Sequence, residues 1–196
     1  KKYMTGIEVL KKLEGLKKDY YSVKDLERIL NMPVDSLRGQ LTRWCKKGVM
    51  IRIAKGIYAP YGTEIDVLKI ANQMYYPSYL SFESVLSKYG ILSQVPYTLT
   101  FATPKRTRKM ILNETEVEFT KLSDKYFFGY TFENGINIAR PEKALVDCLY
   151  LVSKGKRVLN IDELYLKNVD KERLIELAKV FPENTRKLIR GVIDRI

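Results

Sequence analysis

Apolar residues in the N-terminal third of the chain recur first at helical spacing and then at strand spacing. Ile7, Leu10, Leu13 and Leu16 predict a first helix over Thr5 to Leu16 that faces two others. Ser22 caps a second helix with apolar positions Val23, Leu26, Ile29 and Leu30, and Asn31-Met32-Pro33 breaks it. A third helix starts at once, with Pro33 in its first turn and an apolar stripe of Leu37, Leu41, Trp44 and Cys45. Lys46-Lys47-Gly48 supplies a basic last turn and a glycine stop. Val49, Ile51 and Ile53 then alternate with Met50 and Arg52, Ala54-Lys55-Gly56 allows a tight turn, and Ile57-Tyr58-Ala59 returns as a strand. Two helices joined by a short turn and followed by a basic hairpin are the layout of a winged helix-turn-helix, with the hairpin as the wing.

A helical wheel centred on Leu41 sorts the third helix. Leu37, Trp44 and Cys45 fall beside Leu41, whereas Ser36, Gly39, Arg43 and Lys46 fall opposite, with Gln40, Thr42 and Lys47 on the flanks. Arg pairs bidentately with guanine and Gln with adenine in the major groove, while Lys, Ser and Thr typically hold phosphates. The candidate DNA-binding set is therefore Ser36, Gln40, Thr42, Arg43, Lys46 and Lys47, joined by Arg52 and Lys55 from the wing. Gly39 leaves the helix backbone open to close approach. Trp44 and Cys45 read as core, and for Tyr58 packing under the wing is preferred over a phosphate contact.

Pro60-Tyr61-Gly62 closes the hairpin and marks a boundary between a winged domain, residues 1–62, and a mixed α/β domain, residues 63–196. In the second, Glu64 to Tyr75 reads as a helix with Ile65, Leu68, Ile70 and Ala71 inward. Ser81 caps another from Phe82 to Tyr89, and Tyr97 to Ala102 alternates like a strand. Val117–Leu122 and Tyr126–Phe132 look like paired strands, and Ile136–Ala139 like a short edge, together a small antiparallel sheet. Pro141 opens a strongly apolar helix with Ala144, Leu145, Cys148, Leu149 and Val152 inward and a Lys143–Asp147 pair on its exposed side. Three helices follow, near Ile161–Leu166, Lys171–Val180 and Glu183–Ile196. The expected fold class is α+β.

Charge adds to this picture. Of a formal net charge of +12, residues 1–62 hold 14 Lys and Arg against 6 Asp and Glu, so two thirds of the surplus lies where the helix-turn-helix pattern is. Such a patch attracts polyanions, though it does not by itself separate DNA from RNA or an acidic membrane. The basic run Lys105-Arg106-Thr107-Arg108-Lys109 is expected to be a solvated loop.

Missing residue types narrow the chemistry. With no histidine and two well-separated cysteines, Cys45 and Cys148, neither a zinc site nor a Ser-His or Cys-His pair is expected. No catalytic residue, metal or cofactor is assigned, and the cysteines read as buried thiols. Glu114, Glu116 and Glu118 alternate on a strand face that suits solvent better than Mg²⁺. Lys1-Lys2-Tyr3-Met4 leads into an amphipathic helix and no apolar run is long, so neither export nor membrane spanning is expected and the cytoplasm is the default location.

Several segments carry a family resemblance: Leu41 to Gly48, Arg52 to Ala59, Tyr79 to Leu86 with Tyr89-Gly90-Ile91, and Ala139-Arg140-Pro141-Glu142-Lys143 through Asp147. In that order they resemble the AbiEi antitoxins of abortive-infection toxin-antitoxin systems. The resemblance implies a winged helix that represses its own operon and a C-terminal domain that counters a nucleotidyltransferase-like toxin. It carries Arg43, Lys46, Lys47, Arg52 and Lys55 to operator DNA and the motif Arg140, Glu142, Lys143 and Asp147 to the antitoxin domain. Tyr89 stands where the family often has a histidine, so no role assigned to that histidine transfers.

The sequence thus leads to a non-enzymatic, sequence-specific regulator that binds double-stranded operator DNA, with two copies on an inverted repeat. The alternative is an RNA-binding or protein-docking module that uses the winged fold as a scaffold. A carboxylate-dependent nuclease ranks third.

Overall fold

The computed structural model describes residues 4–16 and 18–196. Residues 1–3, the start of the segment expected to hold no export signal, lie outside it. Among the described residues the chain is α+β, with eight α-helices, a three-stranded antiparallel sheet and a six-stranded mixed sheet. None of these helices is long and apolar enough to cross a membrane. Two compact units are distinguished: Lys1–Ile70 with Ile111–Glu114, and Ala71–Met110 with Thr115–Ile196.

In the first unit, helix α1 (Gly6–Glu14) starts at a capping box in which Thr5 and Glu8 bond each other's backbone N–H. Its buried face is Val9 and Leu13, whereas Ile7 and Leu16, expected inward, are 69% and 50% exposed. Gly6 explains the difference. A Cβ there would lie 2.6 Å from Cγ2 of Val49, so the helix sits close on its Gly6–Val9–Leu13 side. Ile7, about 100° further round, is turned away from it.

Helix α2 (Val23–Leu30) is capped as its sequence predicts, by Ser22 with Asp25, and ends at Asn31 in the left-handed region. The Lys18 ammonium lies 3.0 Å from Asp25. Burial alone would raise the Asp25 carboxyl, but bonds from Ser22 and Lys18 outweigh it and hold the group below its usual value. Helix α3 (Val34–Lys46) follows after three residues, with Pro33 just before its first turn. Leu26 and Leu30 pack with Leu37, Leu41 and Trp44 in one core that also takes Val9, Leu13, Tyr21 and Met50.

Strands β2 (Met50–Ala54) and β3 (Ile57–Pro60) form the expected hairpin, and Gly56 turns it at φ +78°. A register shift between Arg52 and Ala54 breaks the alternation, so Met50 and Ile53 are both buried and Arg52 is exposed. A third strand, β1 (Tyr21–Ser22), which the sequence reading missed, pairs with β3. It is two residues long, too short for a periodicity signal.

The second unit departs further from expectation. Helix α4 (Val67–Met74), whose residues up to Ile70 belong to the first unit, starts after Asp66, which accepts a hydrogen bond from the Lys69 N–H, and not at Glu64. The six-stranded sheet has the order β6 (Arg108–Leu112), β7 (Thr115–Lys121), β5 (Thr98–Thr103), β4 (Tyr79–Leu80), β9 (Ile136–Ala139), β8 (Tyr130–Glu133). β7 and the Tyr130 strand were expected to pair, yet β7 lies parallel to β5 while β8 pairs with β9. β9, expected at an edge, is internal and parallel to β4. The hairpin reading failed because adjacency in sequence favoured a pairing, whereas the short helical turn Asp124–Tyr126 carries the chain away.

Helices α5 (Phe82–Lys88), α6 (Pro141–Ser153), α7 (Lys171–Ala178) and α8 (Glu183–Ile193) complete this unit, and the stretch expected as a helix from Ile161 is a single 3-10 turn. α6 is buried nearly all round. From Glu142 to Leu149 every residue is buried.

If the Gly6–Val9–Leu13 side is the packed one, Leu13→Ala costs about 2–5 kcal/mol. Ile7→Ser then stays within about 0.5 kcal/mol. Urea unfolding midpoints of the two variants check this, and a larger loss for Ile7→Ser contradicts the assigned face.

Candidate nucleic-acid interface

α3 presents most of the side chains that its sequence marks out. Ser36, Thr42, Arg43, Lys46 and Lys47 are exposed, and a Cβ added at Gly39 would meet nothing within 4 Å. Gln40 is different: it is 6% exposed and joins Leu37, Leu41 and Trp44 in the buried arc. That arc is centred between Leu41 and Trp44 and not on Leu41, which turns Gln40 in and leaves Arg38 exposed and Cys45 half-buried. Arg38 is the cation that the sequence reading omitted. It was readable, because tying the wheel to Trp44, the bulkiest side chain, would have placed it outside. The Thr42 hydroxyl donates to the Arg38 carbonyl at 3.1 Å and is thereby held against the helix.

The hairpin contributes two exposed cations, Arg52 and Lys55. Burial pushes the Cys45 thiol up, and the Arg52 guanidinium acts in the opposite direction. The turn carrying Lys55 is fixed elsewhere, since the Val23 N–H at the start of α2 donates to the Gly56 carbonyl at 3.1 Å. Tyr58 packs against the core.

The basic loop ahead of β6 is exposed but not loose. The Tyr75 hydroxyl donates to the Arg106 carbonyl at 2.7 Å, and Lys105 and Arg108 lie 5.5 and 5.7 Å from the Tyr75 ring centre. Glu118 does not form a free carboxylate face with Glu116. Arg157 bonds it at 2.8 Å and Lys109 at 3.1 Å. Burial would raise its carboxyl, but Thr120, Lys109 and Arg157 together hold it below the usual range. No cluster of His, Cys, Asp and Glu suited to a metal occurs among the described residues.

The Arg140 to Asp147 motif lies in the second unit, and its Lys143–Asp147 pair is not on an exposed side. Lys143 is 1% exposed and Asp147 is fully buried, because α6 has no wet face to place them on. The pair is in contact, and the Lys143 ammonium also donates to the Tyr79 hydroxyl and the Tyr126 carbonyl, both at 3.0 Å. Tyr79 and Ser81 each donate to Asp147 Oδ2 at 2.9 Å. Ser81, expected to cap α5, spends its hydroxyl here and makes no capping bond. Phe82, the next residue, is held at φ +55°, costly for a bulky side chain, with its ring buried under the Arg157 guanidinium at 4.4 Å.

Burial pushes the Asp147 carboxyl up and the Lys143 ammonium down, and their mutual attraction works against both shifts. The Lys143 ammonium is also 4.9 Å from the Phe128 ring centre and 5.7 Å from that of Phe181. Glu142 is buried as well and accepts from the Asp170 N–H at 3.1 Å. Arg140 stays exposed. Tyr79 and Ser81 are more than sixty residues from Asp147, so no local signal marks them as its partners.

No family model and no curated protein sequence matches the chain.

Removing one member of the pair strands a buried charge. Asp147→Leu and Lys143→Met should each cost about 3–5 kcal/mol, and the double variant less than either. Thermal unfolding of the three variants tests this, and additive losses would show that the two groups act independently.

Proposed function

We propose that the chain is a sequence-specific DNA-binding transcriptional regulator whose first unit works as a winged helix-turn-helix, with α3 as the recognition helix and the β2–β3 hairpin as the wing. The observation that supports it most is the exposed band of Arg38, Thr42, Arg43, Lys46 and Lys47 on a helix whose other side is sealed in core, with Arg52 on the adjoining strand. A B-DNA major groove, about 12 Å wide, admits one helix. Cations along its exposed side then meet the phosphates of both walls while central residues face the base edges. Arg43 is assigned to base reading. Lys46, Lys47, Arg52 and Lys55 are assigned to phosphates, and buried Gln40 receives no base contact.

The AbiEi resemblance extends this reading to an autorepressing, cytoplasmic antitoxin that counters a nucleotidyltransferase-like toxin. Two copies would bind an inverted repeat, because one recognition helix reads a short half-site. No cofactor and no catalysis enter the proposal.

Fluorescence anisotropy on the chain's upstream duplex and on a scrambled duplex tests the assignment. Arg43→Ala is expected to cost about 1–3 kcal/mol on the upstream sequence and much less on the scrambled one. Equal losses would make Arg43 a phosphate contact. Lys55→Ala is expected to weaken both equally and to flatten the dependence of log K on log salt by about one. Tighter binding of single-stranded RNA than of the upstream duplex would instead favour an RNA-binding module.

A further inference from the structure

The second unit holds a polar cleft of about 700 Å³ that the DNA reading does not use. Three lysines from two separate parts of the chain line it: Lys121 at the end of β7, and Lys154 and Lys156 just after α6. Thr107 and Ser123 add hydroxyls, and one carboxylate, Asp124, leaves a surplus of two positive charges in the lining. None of the three lysines is ion-paired among the described residues.

Lysines just after a helix are common without any ligand, because they offset the negative end of the helix dipole. That accounts for Lys154 and Lys156. It does not account for Lys121, which comes from a strand, nor for Thr107, whose oxygen accepts the Lys121 N–H at 3.1 Å and so ties the loop before β6 to the end of β7 at the cleft. The last carbonyls of α6 do not oppose an anion strongly either. Those of Leu151 and Val152 accept from Lys154, Gly155 and Lys156 N–H groups.

Lysines without a carboxylate partner, Lys154 with its ammonium 5.8 Å from the Tyr150 ring centre, and hydroxyl donors in a concave space within the range of small-molecule sites, about 300–1,000 Å³, match a compact anion with many acceptor oxygens. We propose that this cleft binds a small phosphorylated ligand, a pyrophosphate or the phosphate tail of a nucleotide, held by Lys121, Lys154 and Lys156. The site is independent of the DNA-binding face, and either assignment stands if the other fails.

Isothermal titration calorimetry of the full chain with pyrophosphate and with ATP at low salt tests it. The expected result is saturable binding that Lys154→Gln/Lys156→Gln weakens at least about tenfold, the equivalent of one lost charge-assisted bond of about 1.4 kcal/mol. Lys179→Gln, an exposed lysine of the same unit outside the cleft, should leave it unchanged. All these side chains are exposed, and thermal melts confirm that the variants fold. Amide chemical shifts on adding pyrophosphate should move at Thr107, Lys121 and Ser123. No saturation with either probe, equal losses in the Lys179 control, or shifts confined to α3 would overturn the proposal. So would displacement of pyrophosphate from the cleft by duplex DNA, which would make these lysines part of a nucleic-acid surface.

Discussion

The first unit is organised by the need to bury one side of α3. Leu37, Leu41 and Trp44 occupy one arc of that helix, and α1 and α2 supply the apolar surface that covers it. Each of these side chains is worth roughly 1.5–3 kcal/mol when removed from water, so rotating the helix to bury a different arc would lose several of them and strand Arg43 or Lys46 in the core. The packing therefore decides the outer face without any selection acting on that face for folding. Cations are cheap there, and what they do is free to be set by function.

α6 in the second unit shows the opposite regime. With Ala144, Leu145, Val146, Cys148, Leu149 and Leu151 buried around its circumference, the stretch from Glu142 to Leu149 has no exposed side, and its charged residues must be neutralised in place. Lys143 and Asp147 are one turn apart and take each other as partners, while Tyr79, Ser81 and the Tyr126 carbonyl fill the remaining hydrogen-bonding capacity. Buried ion pairs rarely add stability over an apolar replacement. What this one does add is register, since the ammonium and carboxylate are both satisfied only when β4, the segment at Tyr126 and α6 are aligned together.

The contrast explains what could be read in the sequence. α2 was legible in detail because its signals are local: Ser22 with Asp25 at one end and Asn31 at the other act within a single turn. α3 and the hairpin were legible for the same reason, apart from a rotation of the helix that moved Gln40 in and Arg38 out, and a bulge that put Met50 inside. α1 misled because its apolar residues outnumber its contacts, and the deciding residue, Gly6, carries no hydropathy signal at all. The sheet of the second unit was misread because β5–β7 and β4–β9 pair across long stretches of chain, and strands paired in parallel give no turn to recognise. The Lys143–Asp147 spacing was visible, but its burial followed from the apolar run around it, which argued against any exposed side.

Gly39 links the folding argument to the functional one. It lies mid-helix in α3, its backbone is not in the left-handed region, and nothing lies within 4 Å of where a Cβ would be. Folding gives no reason for glycine at that position, and alanine would stabilise the helix by about 0.5–1 kcal/mol. The missing side chain leaves a bare stretch of backbone between Ser36 and Arg43 on the exposed side. In the proposed complex that gap lets the helix axis move closer to the groove floor, bringing Arg43 within reach of the base edges. A helix that merely covered a core would gain nothing from this gap, whereas one inserted into a groove gains depth.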